Sequence, residues 1–331
     1  MNVLLTGGTG YIGSHAAVVL VELGFNVILL DNLSNSSSDV VSKIEKITSQ
    51  KISFIEGDIR DAEFLSLVMK KYQIEAVIHF AGLKIISESL LEPLKYYENN
   101  ISGTINLLNV MKENGIKKLI FSSSASVYGN PKYLPIDEDH PTSALNPYAN
   151  TKLEIEKILQ DISSSDASWA IVCLRYFNPV GSHESGMIGE KPKGSPNNLM
   201  PYIIGVAKGK FSNLSVFGGD YNTTDGTGVR DYIHVMDLAE AHCSTLDFLV
   251  KNKGWNVFNL GSGNGVSVLE IIEAFNRVNN IKVSYAISDR RQGDVPSIYT
   301  SANKASKVLN WQTKRSLEDM CKSAWESSKG H

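Results

Sequence analysis

Short, nearly uniform apolar runs alternate along this chain with longer stretches in which apolar residues recur every three or four positions. The runs at residues 3–6, 27–31, 52–56, 76–80, 118–122 and 170–175 read as strands, and the stretches separating them read as helices. Because the runs are continuous rather than alternating in polarity, burial on both faces is expected, as in a parallel sheet covered by helices on each side. The first half is therefore predicted to be an α/β, doubly wound parallel sheet. Beyond Asn178-Pro179 the pattern changes to a polar loop rich in Gly, Pro, Ser and Glu at residues 181–198, then to shorter elements. A smaller α/β C-terminal lobe is placed there. Residues 235–250 return to helical period and 257–260 to a buried strand. The predicted division is thus 1–178, with about 231–261 returning to it, and a discontinuous lobe of 179–230 and 262–331.

Composition narrows the partners. The 331 residues are 42% hydrophobic, enough for two well-packed domains, and the net charge is -3. No basic block is present to neutralise phosphates, which argues against nucleic acid and for a small molecule. Cys173, Cys243 and Cys321 stand far apart, suited to neither a disulfide framework nor a metal cage. His15, His79 and His234 lack partners at ligand spacing, so no metal is expected. Trp169, Trp255, Trp311 and Trp325 are scattered singly as packing residues. The amino terminus runs straight into a glycine turn without a charged leader, and the longest apolar stretch, residues 16–23, is broken by Glu22. A cytoplasmic protein with no membrane partner is expected.

The glycines carry the first chemical signal. Gly7-Gly8-Thr9-Gly10-Tyr11-Ile12-Gly13 follows a predicted strand and opens a helix. There, glycines permit a tight turn, let backbone approach a pyrophosphate, and aim a helix N-terminus at its charge. Asp31 ends the second strand, 18 residues past Gly13, where a carboxylate would accept from ribose hydroxyls and repel a 2′-phosphate. NAD is therefore the expected cofactor. Asp58 and Ile59, after the third strand, belong near the adenine, and Phe80, Ala81 and Gly82 belong along the cofactor cleft. The plainer alternative makes Asp58 a helix cap and Gly82 a turn.

Tyr148 and Lys152 supply the second signal, being spaced i and i+4 on one face of a helix that Asn146-Pro147 would start. A nearby lysine charge and a positive nicotinamide ring would both favour the phenolate. Ser122-Ser123-Ser124 comes just after the predicted fifth strand, at the carboxyl edge where ligands of doubly wound sheets bind, and one of those hydroxyls could share the substrate proton with Tyr148. Alone, this would be a surface Tyr–Lys pair beside some serines; the glycine turn upstream gives it weight.

Together with the strings at residues 6–15 (TGGTGYIGSH), 77–84 (VIHFAGLK), 96–100 (YYENN), 121–129 (FSSSASVYG), 174–181 (LRYFNPVG), 197–202 (NNLMPY) and 225–235 (DGTGVRDYIHV), these residues resemble the extended short-chain dehydrogenase/reductase family. Within it the match is to the nucleotide-sugar 4-epimerases, over essentially the whole chain. The resemblance implies a Rossmann sheet and NAD contacts from Tyr11, Ile12, Asp31, Asn32, Leu33, Ser34, Asn35, Ser36, Asp58, Ile59, Phe80, Ala81, Gly82, Leu83, Lys84, Asn99 and Phe177. It implies Ser124, Tyr148 and Lys152 as the catalytic set. It also implies a UDP-sugar held by Asn178, Asn198, Leu199, Phe217, Arg230, Arg291 and Asp294. The expected reaction interconverts UDP-galactose and UDP-glucose through a transient 4-keto sugar, in a homodimer formed through helices near residues 90–112 and 146–159.

Sister dehydratases carry Asp-Glu after the catalytic hydroxyl and decarboxylases a Glu at the second site, where this chain has Ala125 and Ser126. A non-catalytic NAD sensor would commonly lose the Tyr/Lys pair. In this family Ile298 borders the C2 substituent of the sugar, where a bulky Tyr excludes acetamido groups. Activity on UDP-N-acetylglucosamine and UDP-N-acetylgalactosamine, even as the main activity, therefore stays open, as do Ile298 as mere packing and Tyr299 as the gap filler. Without the resemblance, Arg230-Asp231 is more simply a local ion pair.

Overall fold

The computed structural model describes residues 1–194, 196–291 and 293–330. In chain order the strands and helices are β1 (Asn2–Thr6), α1 (Tyr11–Glu22), β2 (Asn26–Asp31), α2 (Asp39–Thr48), β3 (Ser53–Glu56), α3 (Ala62–Lys71), β4 (Ala76–His79), α4 (Ile86–Leu91), α5 (Pro93–Tyr96), α6 (Gly103–Glu113), β5 (Lys118–Ser124), α7 (Pro147–Ser165) and β6 (Ala170–Tyr176). A π-helical turn, Tyr97–Ser102, joins α5 to α6, and a 3₁₀ turn, Ala125–Tyr128, follows β5. There follow β7 (Asn178–Val180), α8 (Leu199–Ala207), β8 (Leu214–Phe217), β9 (Val229–His234), α9 (Val235–Lys251), β10 (Gly254–Leu260), β11 (Gly265–Ser267), α10 (Val268–Asn279), β12 (Tyr285–Ser288), β13 (Ser297–Ile298), α11 (Asn303–Leu309) and α12 (Leu317–Ser328).

The large sheet has seven strands in the order β10-β6-β5-β4-β1-β2-β3, and the six from β6 to β3 pair in parallel. Each strand-to-strand step therefore crosses over through a helical segment. The order reverses between β1 and β4, and that switch point is where doubly wound sheets bind ligands, outside the carboxyl ends of the strands. Residues of β1, β2, β4 and β5 such as Leu4, Ile28, Val77 and Leu119 are fully buried, as their unbroken apolar runs require. Each such side chain contributes about 1.5–3 kcal/mol by leaving water.

The chain forms two compact units. The first comprises Met1–Gly129, Thr142–Tyr176 and Ala239–Phe258; the second comprises Asn130–Pro141, Phe177–Leu238 and Asn259–His331. In the first, Phe121, Leu107, Met111, Trp169 and Cys173 belong to one apolar core. In the second, β9 pairs with β7, β11 and β13, while β12 pairs with β8. Its core gathers Ile203, Val216, Tyr232, Ile271, Phe275 and Cys321. All three cysteines are buried and unpaired with one another. No helix among the described residues is long and apolar enough to cross a membrane.

Candidate functional site

The glycine turn is built by close approach. Gly7 has φ +69°, and a Cβ there would lie 2.7 Å from the Ala81 nitrogen; a Cβ on Gly13 would lie 2.4 Å from the Gly7 carbonyl oxygen. Only glycine fits either place. Gly10 is the N-cap of α1 and brings no side chain to it. The N-terminus of α1, with the positive end of its dipole, follows directly on this turn and attracts an anion. Tyr11 packs edge-on to His15, whose Nδ1 lies 2.6 Å from the Tyr11 carbonyl oxygen.

At the end of β2 Asp31 is buried and accepts from the Thr9 nitrogen at 3.1 Å, the Leu33 nitrogen at 2.9 Å and the Ser36 hydroxyl at 2.9 Å. Those bonds fold residues 31–36 into a tight loop, with Leu33 at φ +56°, the Ser34 nitrogen donating to Asn32 and Asn35 exposed. Asn32 also donates to Asp58 at 2.9 Å. Asp58 does not cap the following helix; Asp61 does, accepting from the Phe64 nitrogen. Asp58 is gripped instead by the Arg60 side chain, with Asn32 adding to its hold, so its carboxyl sits well below the usual range. Ile59 is buried against Gly103.

Beyond β4, the Phe80 ring lies against His242, and the Ala81 nitrogen donates to the Thr6 carbonyl. Gly82 is exposed, with room for a Cβ 3.4 Å from Asn100 Oδ1 and 3.7 Å from Lys152 Nζ. The Leu83 nitrogen and the Asn99 side chain both donate to Asn100 Oδ1, and Lys84 is exposed. Asn100 is buried and donates to Thr151, whose hydroxyl donates to the Tyr148 carbonyl. The π-helical turn thus anchors the start of α7.

Helix α7 starts as its sequence dictates: Asn146 accepts from the Ala149 nitrogen at 2.9 Å and Pro147 fills the first position. That start sets Tyr148, half-buried, with its phenol by the Ser124 hydroxyl at the end of β5. Lys152 is no surface residue. It is 6% exposed, donates to the Ser122 carbonyl at 2.7 Å, and lies 4.8 Å from the Phe121 ring centre. Burial pulls its ammonium down to about 8, against the charge of Glu156. Burial pushes the Tyr148 phenol above its ordinary value, and the Ser124 hydrogen bond offsets part of that rise. Ala125 and Ser126 put no carboxyl beside Ser124; the Ser126 hydroxyl and nitrogen both donate to its oxygen.

In the second unit, Arg230 is not paired with Asp231. Its guanidinium donates to the carbonyls of Val229 and Val295, with Asp294 at 3.9 Å. Asp231 is fully buried and accepts from Ser262, Gly263 and Thr300, loop donors that satisfy it without a cation. Arg291 stacks 3.7 Å over the Phe217 ring, and Gln292 lies outside the described residues. Ile298, half-buried, is in parallel register with Arg230. Tyr299 does not fill its place: its ring lies against Gly265. Asn198, exposed at the head of α8, donates to Glu190, and Leu199 opens that helix. Asn178 is exposed on β7, whereas Phe177 is buried and bonded to the Leu260 carbonyl.

Sequence reasoning passed over the Ser122 carbonyl, Asn100, Thr151, Glu156 and Arg175. Glu156 was within reach, standing i+4 from Lys152 on the same helix face; a backbone carbonyl carries no residue signal at all.

Comparison with known proteins narrows the chemistry. The family model for GDP-mannose 4,6 dehydratase matches residues 4–324. A UDP-glucose 4-epimerase of Bacillus subtilis strain 168 is 51% identical over 98% of this chain and 96% of its own length. The crystal structure of a UDP-glucose-4-epimerase from Stenotrophomonas maltophila, with bound NAD and formylated UDP-arabinopyranose, superimposes with TM-score 0.98 at 47% identity, covering 99% of this chain and 98% of that one. That of Bifidobacterium longum, in complex with NAD+ and UDP, gives TM-score 0.96 at 47% identity over the same shares. The dehydratase description covers the broad fold group, while the epimerase matches extend over nearly full length at about half identity. With the Rossmann strand order, the glycine turn and the Ser124–Tyr148–Lys152 set, they show that this chain belongs to the UDP-glucose 4-epimerase family of extended short-chain dehydrogenases/reductases.

Proposed function

We infer that this chain is an NAD-dependent epimerase that interconverts UDP-galactose and UDP-glucose. The observation that carries the reading is the strand end at Ser122–Ser124, where Tyr148 meets the Ser124 hydroxyl and Lys152 is held by the Ser122 carbonyl, with no carboxyl following. A dehydratase needs a second acid to eliminate water; these residues support oxidation and re-reduction only.

The residues of the first unit suit NAD. A cradle that a Cβ at Gly7 or Gly13 would fill, followed by the N-terminal end of α1, suits a pyrophosphate, and Asp31 on the neighbouring strand suits ribose hydroxyls. NAD, when bound, supplies the acceptor and later the donor of the C4 hydride, and a positive ring charge. Tyr148 takes the proton of the C4 hydroxyl and, once the 4-keto sugar has turned its other face, returns it to the C4 oxygen. Ser124 shares that proton through its hydrogen bond, and Lys152 offers its ammonium to the nicotinamide ribose. In the second unit, Arg230 and Arg291 present guanidiniums that suit a diphosphate, Asp294 a carboxylate that suits a ribose, and Asn178, Asn198, Leu199 and Phe217 complete the set assigned to the nucleotide sugar.

The protein is further proposed to work as a cytoplasmic homodimer. The test of function is direct. Purified protein given UDP-galactose without added cofactor forms UDP-glucose, and Tyr148→Phe loses turnover while keeping its fold and its bound NAD. Near-normal turnover in that variant removes Tyr148 as the base.

A further inference from the structure

One buried ion pair in the first unit has no part in the reaction as derived. Glu156 is 2% and Arg175 4% exposed. Arg175 meets both carboxylate oxygens, Nε at 3.0 and 3.2 Å and Nη2 at 2.6 Å, and its Nη1 donates to the Tyr128 hydroxyl at 2.8 Å. Ser123 Oγ donates to Glu156 Oε1 at 2.5 Å.

The position of the pair is informative. Two successive residues of the β5 end are tied to α7, the Ser122 carbonyl to Lys152 and the Ser123 hydroxyl to Glu156, and the next hydroxyl, of Ser124, lies by Tyr148. Glu156 is one helical turn beyond Lys152, on the same face. Stability alone is a poor reason for such a pair, because desolvation consumes most of what two buried charges gain from each other, and apolar residues of similar volume serve as well. What apolar residues cannot supply is a directional link to Ser123 or a negative charge one turn from the lysine.

We propose that Glu156 is a positioning residue of the reaction: held by Arg175, it fixes the register between α7 and the Ser122–Ser124 strand end and keeps a negative charge beside Lys152. This rests on the reading of Ser124, Tyr148 and Lys152 as the catalytic set. Glu156 acts through Lys152 and Tyr148. The groups facing Lys152 are Glu156 from its own helix and His79 from β4; those facing Glu156 are Arg175 and Cys173 from β6; those facing Tyr148 are Tyr96 and Tyr176. His79, kept neutral by burial and by the lysine, puts no charge against it, whereas Glu156 supports the ammonium.

The test compares the wild type, Glu156→Gln, the double variant Glu156→Met with Arg175→Met, and Tyr148→Phe, each as the NAD-loaded enzyme. Thermal midpoint, kcat, KM for UDP-galactose and the alkaline limb of kcat are measured. Glu156→Gln is expected to lose roughly tenfold or more in kcat with KM changed less than about threefold, as misplaced reacting groups do. Its alkaline limb moves to lower pH, because Lys152 gives up its proton more readily without the carboxylate. The double variant recovers the thermal midpoint but neither kcat nor the limb. Recovery of kcat and limb together with the midpoint overturns the proposal and leaves the pair structural, as does a Glu156→Gln enzyme of unchanged kcat and limb. Near-normal turnover in Tyr148→Phe would instead sink the catalytic reading beneath it, so the two failures are distinguishable.

Discussion

At the scale of single residues, burial decides more than neighbouring charge. His79 is the clearest instance: it is 1% exposed, with Nδ1 2.7 Å from the Thr6 hydroxyl and Nε2 2.9 Å from that of Thr104, and burial with the nearby Lys152 charge pulls it down to about 3. As pH drops below about 6.5, the unfolded chain gains a proton that the folded chain refuses until about 3. Stability from this site therefore falls with falling pH, by up to about 1.4 kcal/mol per unit. Urea midpoints measured between pH 4.5 and 7.5 should show His79→Asn with a shallower acid limb than wild type; parallel limbs would remove His79 as the source. Ile298 is a second residue-scale case. Its register with Arg230 sets it on the sheet face of the guanidinium assigned to the diphosphate, while the Tyr299 ring is occupied on Gly265. Ile298→Tyr is expected to reduce turnover of UDP-N-acetylgalactosamine at least tenfold while changing UDP-galactose turnover little. Equal losses on both substrates would remove Ile298 as the gatekeeper.

At the scale of elements, the legible parts were those whose signal is local. The inner strands β1, β2 and β4 announced themselves as continuous apolar runs, because a strand buried on both faces has no polar positions to blur it, whereas edge strand β3 is only half-buried. The helix carrying Tyr148 and Lys152 was legible from Asn146-Pro147 alone. Less was legible between residues 85 and 102, where two short helices and a π-helical turn share one stretch, and the strands of the second unit, at two to six residues, are too short for period to show. Which partner a charged side chain would choose was not legible either. Asp58 took Arg60 and Asn32 instead of a helix N-terminus, and Arg230 turned to the carbonyls of Val229 and Val295 instead of the Asp231 carboxylate, choices that residue spacing does not record. The glycine turn is the element most exposed to test. A Cβ on Gly13 would meet the Gly7 carbonyl at 2.4 Å, so Gly13→Ala must displace the turn from the first residues of α1. The variant should lose about 1–3 kcal/mol of stability and purify with little NAD, measured by absorbance after denaturation. Retention of stoichiometric NAD would show that the turn does not hold the pyrophosphate.

At the scale of the whole molecule, the surface leaves one feature that a monomer does not explain. Leu90, Leu91 and Leu94, on α4 and α5, are 61%, 80% and 81% exposed, and Ile86 beside them is 47% exposed. Scattered exposed apolar residues are ordinary, but four such side chains within nine residues are a local concentration of the kind found at protein interfaces. Both helices contact α7, so the patch adjoins the same helices through which the proposed homodimer would form. The chain's weak net charge of -3 adds little repulsion between copies. Light scattering after size exclusion should give twice the mass of a 331-residue chain for wild type, and a monomer for Leu91→Glu with Leu94→Glu, since each buried charge without a partner costs an interface several kcal/mol. NAD content reports whether the first unit remains folded. A monomeric wild type would reduce the patch to surface, and a double variant that stays dimeric would move the interface elsewhere.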